Sequence, residues 1–358
     1  MESFVEVRFR QADLERFIGD LIRAAGAAPE GAGALARAVV DASARGVDTH
    51  GVRLVPHYVR SLEGGRVNPA PQMRFTRLAP AVGHLDADDG FGHEASYRAI
   101  DEGIALAGET GIAAVAVGRS SHHGATGVYA RAAALRGYAA IGMTHADAIV
   151  VPHDGIKAFN GTNPISFALP VAGGEPLLLD MATSSIPLNR VLLRRATGTP
   201  LPPDVAVDEH GAVTTDPDRA VALLPLGGTD YGYKGAGLAA MVDLLCSVFT
   251  GMRHGAALPK FAGPDLSEKA ALGHFFIVLR PEVFQPLAAF DAGLARFLAD
   301  LRAQPAKPGR RVMAPGDPEL AAQAERQANG VPIDASTWTE LRTIGARYGC
   351  TEPAPLGG

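Results

Sequence analysis

An α/β fold class is predicted by two observations on this 358-residue chain. Short apolar runs of strand length, such as "IAAVAVG" (112–118) and "HFFIVLR" (274–280), interleave with stretches whose apolar residues recur at helical spacing. With 47% apolar and 20% charged residues, the chain fills a large core and exceeds one small domain, so two closely packed domains are expected.

The elements follow in order. From Gln11 to about Ala44, Leu14, Phe17, Ile18, Leu21 and Ile22, then Leu35, Val39 and Val40, mark two amphipathic helices, the second opening with Pro29 in its first turn. Gly46 and Asp48 end it. Leu54 to Leu62 predicts a short helix stopped by Gly64 and Gly65. An extended piece, a helix from about Gly92 to Gly108 and the buried strand 112–118 come next. Helix 127–137, strand 138–144, the turn "GTNP" (161–164) entering a strand, and strand 176–184 complete the middle of the chain. A long apolar helix is expected over 234–251, a strand over 274–280, and helices over 290–304, 318–330 and 336–349.

Composition excludes several classes. A net charge of −5 without basic blocks lacks the footprint of nucleic-acid binding. Cys246 and Cys350 lie too far apart for a disulfide framework or a paired-thiol motif. No apolar run approaches the roughly 18 residues of a membrane span, and "MESFVEVRFRQADLERF" lacks the charged-then-apolar order of a secretory signal. A cytoplasmic protein without membrane or nucleic-acid partners is the expectation.

The stretch "RGVDTHGVR" (45–53) puts an acid, a hydroxyl, an imidazole and two guanidiniums where a helical pattern stops. If Thr49 to Arg53 forms one helical turn, His50 and Arg53 share a face. Such a pair suits one task, in which Arg53 grips a carboxylate and His50 exchanges a proton with an oxygen on the next carbon. Capping by Asp48 and Thr49 is the plainer alternative. "SSHHGATG" (120–127) occupies a strand-to-helix turn, a common place for ligand contacts. Adjacent histidines on extended chain point to opposite sides, so His122 and His123 do not pair on a metal. A hydrolytic metal would have to recruit His122, His145 and His153, and no metal is expected.

"GAGALA" (31–36) and "GAGLAA" (235–240) match a dinucleotide fingerprint in letters, but neither follows a buried strand, so neither reads as a Rossmann turn. Lys234, read at a helix start, offers an anion site for a phosphate. Thr162 and Asn163 form a turn before Pro164, and Asp180, Thr183 and Ser184 end a strand.

In this order, "DTHGVR", "SSHHGATG", "GTNP", "DMATS", "LPPDVAVDEHGAVTTDP", "GYKGAGL" and "APGDPE" closely resemble the malate/L-lactate dehydrogenase family, type 2, from about Gln11 to Gly330. The resemblance implies a homodimeric NAD- or NADP-dependent oxidoreductase of small carboxylates with a non-Rossmann, mixed and largely antiparallel sheet. It implies a helical substrate and dimerisation domain from residues 1–118 with 276–358, and a cofactor domain from 119–275. On the pattern [ST]-H-G-x-x-R, Thr49 matches a hydroxyl relay, His50 the proton donor or acceptor, and Arg53 the carboxylate clamp. Ser121, His122, His123, Gly124 and Ala125 match the cofactor-binding turn. In the ureidoglycolate branch the residue matching His122 takes the acid/base role instead. Thr162 matches a substrate contact, and Asp180, Met181 and Ala182 a cofactor-contacting strand end. Lys234 matches a lysine at the cofactor phosphates, and Pro315, Gly316 and Asp317 a loop returning to the nicotinamide.

Three departures stand out. Asn189 and Arg190 follow "DMATS" where most members carry Gly then Lys or Asp; Asn160 replaces a bulky residue; Asp317 replaces Glu. In relatives that reduce cyclic imines the matching aspartate relays protons, which the always-charged Arg190 cannot do. A 2-oxo or 2-hydroxy acid is therefore the expected substrate, with pyrroline- or piperideine-2-carboxylate as the alternative, and a second anionic or polar group on the substrate suits Asn189 and Arg190.

Overall fold

The computed structural model describes residues 6–356. Residues 1–5 and 357–358, included in the expected domain ranges, lie outside the described residues. Strand β1 (Glu6–Phe9) leads into α1 (Gln11–Ala24) and α2 (Pro29–Ala44), two short 3-10 turns at Asp48–His50 and Val52–Leu54, and α3 (Val55–Glu63). A hairpin of β2 (Arg74–Ala79) and β3 (Val82–Asp86) precedes α4 (Gly92–Thr110), β4 (Ile112–Ser120), α5 (Gly127–Ala134), β5 (Ala139–Thr144), β6 (Ile165–Leu169) and β7 (Leu177–Met181). Then come α6 (Leu188–Ala196), the ribbon β8 (Ala206–Val207) with β9 (Ala222–Leu223), α7 (Gly228–Cys246), β10 (Leu272–Leu279), α8 (Leu287–Arg302), α9 (Asp317–Asn329), β11 (Val331–Asp334) and α10 (Ala335–Tyr348).

Seven strands form one sheet in the order β2-β3-β4-β10-β5-β6-β7. Only β3 and β4 run parallel; the other neighbours are antiparallel, which makes the sheet mixed and largely antiparallel. Central β4 shows why its sequence is apolar without alternation. Ala113, Val115 and Val117 pack with α4 and α5 on one face, while Ala114 and Ala116 join Val242 and Cys246 of α7 on the other. Both glycine-rich fingerprints lie inside helices, "GAGALA" in α2 and "GAGLAA" in α7, so neither bends out of a strand.

A helical layer of α1, α2, α3 and α10 packs around Leu14, Phe17, Ile18, Leu35, Trp338 and Leu341. The pairing of β1 with β11, Arg8 opposite Pro332, closes this layer from both ends of the chain. Positions 118 and 276, the expected domain limits, fall within β4 and β10, which are hydrogen-bonded neighbours in one sheet. A division there would cut through the centre of the sheet, because the β2–β3 hairpin joins the same sheet through β4. Among the described residues no helix is long and apolar enough to cross a membrane.

Candidate active site

Between the helical layer and the sheet lie two adjoining cavities of about 690 and 530 Å³. Thr49, Ala125, Asp180 and Asn189 border both. His50, Leu54, Tyr58 and Ser61 come from the helical side of the larger one; Ser121, His122, Thr162, Met181 and Ala182 come from the sheet side.

The segment expected as one helical turn is two. Val47–Gly51 turns on itself, Gly51 breaks the run at φ −97°, ψ −146°, and Val52 starts again. Ser43 of α2 dictates this break. A Cβ on Gly51 would lie 2.1 Å from the Ser43 hydroxyl, which accepts the Val52 N–H at 3.0 Å. The register has a consequence for the expected clamp. In the pattern [ST]-H-G-x-x-R the arginine stands four residues after the histidine, and from His50 that position is Leu54, not Arg53. Leu54 faces the larger cavity with His50, whereas Arg53 borders only the smaller one. His50 and Arg53 therefore do not share a face or a cavity, which corrects the arrangement expected from their spacing.

The two rings of the larger cavity are nearly parallel, with centroids 6.1 Å apart for His50 and His122. His50 Nδ1 meets the Thr49 hydroxyl at 3.0 Å, which leaves Nε2 without a protein partner. His122 is more constrained. Its Nδ1 accepts from the Gly124 N–H at 3.3 Å and meets the Tyr58 hydroxyl at 2.8 Å. A backbone N–H can only donate, so Nδ1 is an acceptor and neutral His122 carries its proton on Nε2. Burial lowers the pKa of both rings, that of His122 further because His50 lies beside it. Burial also raises the Tyr58 hydroxyl, which stays protonated. Gly124 makes this turn at φ +72°, a conformation suited to glycine, and a Cβ there would sit 3.3 Å from the His50 carbonyl.

The remaining expected residues divide clearly. Ala125, Met181, Ala182 and Thr162 border the larger cavity, and the Thr162 carbonyl is held by Thr183, whose N–H and hydroxyl both donate to it. Asp180 is exposed on the walls of both cavities, and the desolvating protein around them raises its pKa to about 6, partly offset by the Gly127 N–H at 2.8 Å. Ser121 borders the larger cavity with its hydroxyl already spent on the Gly90 carbonyl and the Gly92 N–H. Asn189 borders both cavities and Arg190 only the smaller.

His123 is absent from both cavity walls. It is buried, bonded to Ser96 and Thr126, and stacked on His274 at 4.3 Å, so its imidazole supports the sheet rather than a ligand. Lys234 is not at a helix start either. The helix α7 begins at Gly228, with Gly232 and Gly235 packed against Pro225 and Leu226, and Lys234 lies exposed in its second turn, away from both cavities. Pro315, Gly316 and Asp317 stop short of the cavities: Gly316 packs toward Leu178, and Asp317 pairs with Arg302 at 2.6 Å and caps Ala314. His145 bonds Asp243 and the Gly273 N–H through its two nitrogens, and among the described residues no three His, Cys, Asp or Glu side chains cluster as metal ligands.

His57, Tyr58, Lys260 and Phe261 were not singled out from sequence. Tyr58 and Ser61 of α3, with Leu54 just before it, stand at helical spacing on the cavity face, a signal legible in "LVPHYVRS". Phe261 covers His57 and His122 at ring distances of 3.9 and 4.6 Å. Its loop is held by Arg66, whose buried guanidinium donates to the carbonyls of Lys260, Phe261, Asp265 and Glu268.

Residues 9–342 match the family model described as malate/L-lactate dehydrogenase. The chain is 34% identical over 309 residues to the (2R)-3-sulfolactate dehydrogenase (NADP(+)) of Chromohalobacter salexigens, covering 86% of this chain and 89% of that protein. It is 32% identical over 328 residues to the ureidoglycolate dehydrogenase (NAD(+)) of Escherichia coli, covering 91% and 93%. The solved malate dehydrogenase of Pyrococcus horikoshii OT3 superposes with a TM-score of 0.88 at 31% identity over 97% of each chain.

Proposed function

The chain belongs to the malate/L-lactate dehydrogenase family, and on that premise we propose that it transfers hydride between a nicotinamide cofactor and a small 2-hydroxy or 2-oxo acid, with His50 exchanging the proton. The observation that carries this reading is the pair of parallel rings with complementary proton states. His50 has a free Nε2, and its Thr49 partner can donate or accept, so either tautomer is available. His122 presents Nε2–H and acts as a fixed donor to the substrate oxygen.

The two joined cavities fit a dinucleotide with substrate beside it, and Ala125, Asp180, Met181 and Ala182 are the residues that would hold it. When bound, the cofactor supplies or accepts the hydride. In oxidation neutral His50 takes the hydroxyl proton while His122 steadies the oxygen; in reduction protonated His50 returns it. Phe261, Leu54 and Leu188 exclude water from this end of the cavity. The helical layer contributes His50 and the sheet layer His122, Thr162 and Asp180, so the division of labour follows the layers rather than a cut at fixed positions.

The test is a panel of 2-hydroxy acids, 2-oxo acids and cyclic imino acids assayed with NAD and NADP, followed by a pH profile on the best substrate. Because burial holds His50 below its ordinary 6.5, kcat/KM for oxidation is expected to stay level above pH 6.5 and fall only at lower pH, while reduction gains as pH falls. Activity confined to cyclic imines, or an oxidation limb still rising above pH 8, would contradict the assignment.

A second copy of the chain is the proposed partner of α7. Met241 and Leu244 are exposed at helical spacing on that helix with Lys234 on the same stripe, and exposed Val248 and Phe249 follow in the turn just beyond its end. Lys234 then serves a cofactor phosphate only across the interface. Sedimentation equilibrium should give a dimer that Leu244→Glu dissociates; a monomeric wild type overturns the pairing.

A further inference from the structure

We propose that the smaller cavity is an anion subsite, built from Arg45, Arg53 and Arg190, that takes a phosphate or carboxylate group while the reacting carbon lies beside His50. This rests on the hydride-transfer reading only for the second half of that statement; the subsite itself stands on the arginines.

Arg45 is 3% exposed and borders the cavity. Its Nη1 donates to Gln323 at 2.8 Å and lies 3.8 Å from Glu175, but Nη2 is buried without any partner. A buried guanidinium N–H left unpaired is costly, and an anion in the cavity would satisfy it. Arg53 and Arg190 border the same space, and among the described residues neither side chain forms an ion pair or a hydrogen bond. The acids of the wall are largely committed. Asp41 pairs with Arg131 at 3.2 Å and Asp48 with Arg326, while the Asp180 carboxyl accepts from Gly127 and is shifted toward its neutral form. Glu319 is the acid left to face three guanidiniums, and it suits the hydroxyls of a ribose or a hydroxy acid.

The place of the cavity explains what it is for. Thr49, which hydrogen-bonds His50, stands on the wall common to both spaces, so a molecule passing over Thr49 and Asn189 puts one end on the arginines and the other at the reacting rings. Two sources offer such an anion: the phosphate that distinguishes NADP from NAD, or a second acidic group on the substrate. Arg53 is reassigned by this from holding the reacting carboxylate to holding the distant anion.

The experiment titrates inorganic phosphate at low ionic strength into the whole protein by calorimetry, in wild type and in Arg53→Gln, Arg190→Gln and the double variant. Both residues are exposed, so folding should survive, and circular dichroism checks it. The double variant is expected to lose phosphate affinity by about tenfold or more. Kinetic arms separate the sources. A selective loss with NADPH relative to NADH assigns the site to the cofactor; a selective loss with dicarboxylates relative to monocarboxylates assigns it to the substrate. Unchanged phosphate affinity together with unchanged kinetic ratios overturns the subsite. Should His50→Ala retain turnover, the hydride-transfer reading fails, yet the phosphate titration still decides the subsite.

Discussion

His50→Ala is expected to lower turnover by about 10²- to 10⁴-fold while leaving the fold intact. The ring lies partly exposed at the cavity, and its one side-chain hydrogen bond is to Thr49, so removing it strands no buried partner. What disappears is the group able to carry a proton in either direction. His122 cannot replace it, since its Nδ1 is engaged by Tyr58 and Gly124 and its pKa is held well below the ordinary histidine value. His122→Gln, which keeps a donor near the same place, should cost less and leave the acidic limb of the pH profile where it was. Near-normal turnover of His50→Ala, or a His122 variant that alone erases that limb, would reverse the two roles.

The second large effect is on stability in acid. Inside the fold, burial holds His57 near about 4 and His93 and His274 near about 3, against 6.5 for an ordinary histidine. Above pH 6.5 these rings are neutral whether the chain is folded or not, and their contribution is complete. Below it only the unfolded chain takes up protons, so each ring removes about 1.4 kcal/mol of stability per pH unit until its folded value is reached. Three such rings remove roughly 4 kcal/mol per unit, a large share of a typical total of about 5–15 kcal/mol. Asp180, raised to about 6, works in the opposite direction and offsets part of the loss. The thermal midpoint should therefore drop steeply between pH 6 and pH 4.5. A midpoint unchanged from pH 7 to pH 5 would show that these rings are hydrated rather than buried. His93→Phe, packed edge-on against Tyr58, should flatten the slope.

Much of this architecture was legible because local and global preferences agree. The periodicity of Leu14 to Ile22, Pro29 at the opening of α2 and the unbroken apolar run of β4 each match what the elements do. The opposite directions of His122 and His123 also follow from extended geometry alone. What local pattern does not carry is contact between distant segments. The Ser43 hydroxyl under Gly51 split the expected turn and parted His50 from Arg53. His123 found its stacking partner, His274, on a strand far along the chain. "GGTDYGYKGAG" is too rich in glycine to read as helix, yet its glycines pack closely on Asp204, Pro225 and Leu226 as the first turns of α7, which leaves Lys234 away from the cavities. Lys260 and Phe261 reach the site because Arg66 gathers four loop carbonyls, a long-range tether with no sequence signature.

The antiparallel pairing of β1 with β11 joins segments made at opposite times during synthesis. Until residues 331–334 have left the ribosome, the layer that holds the 48–54 turns lacks its closing ribbon and the helix behind it. Assembly of the proton-transfer centre thereby waits for a segment far along the chain, and closing so long a loop adds an entropic cost to refolding.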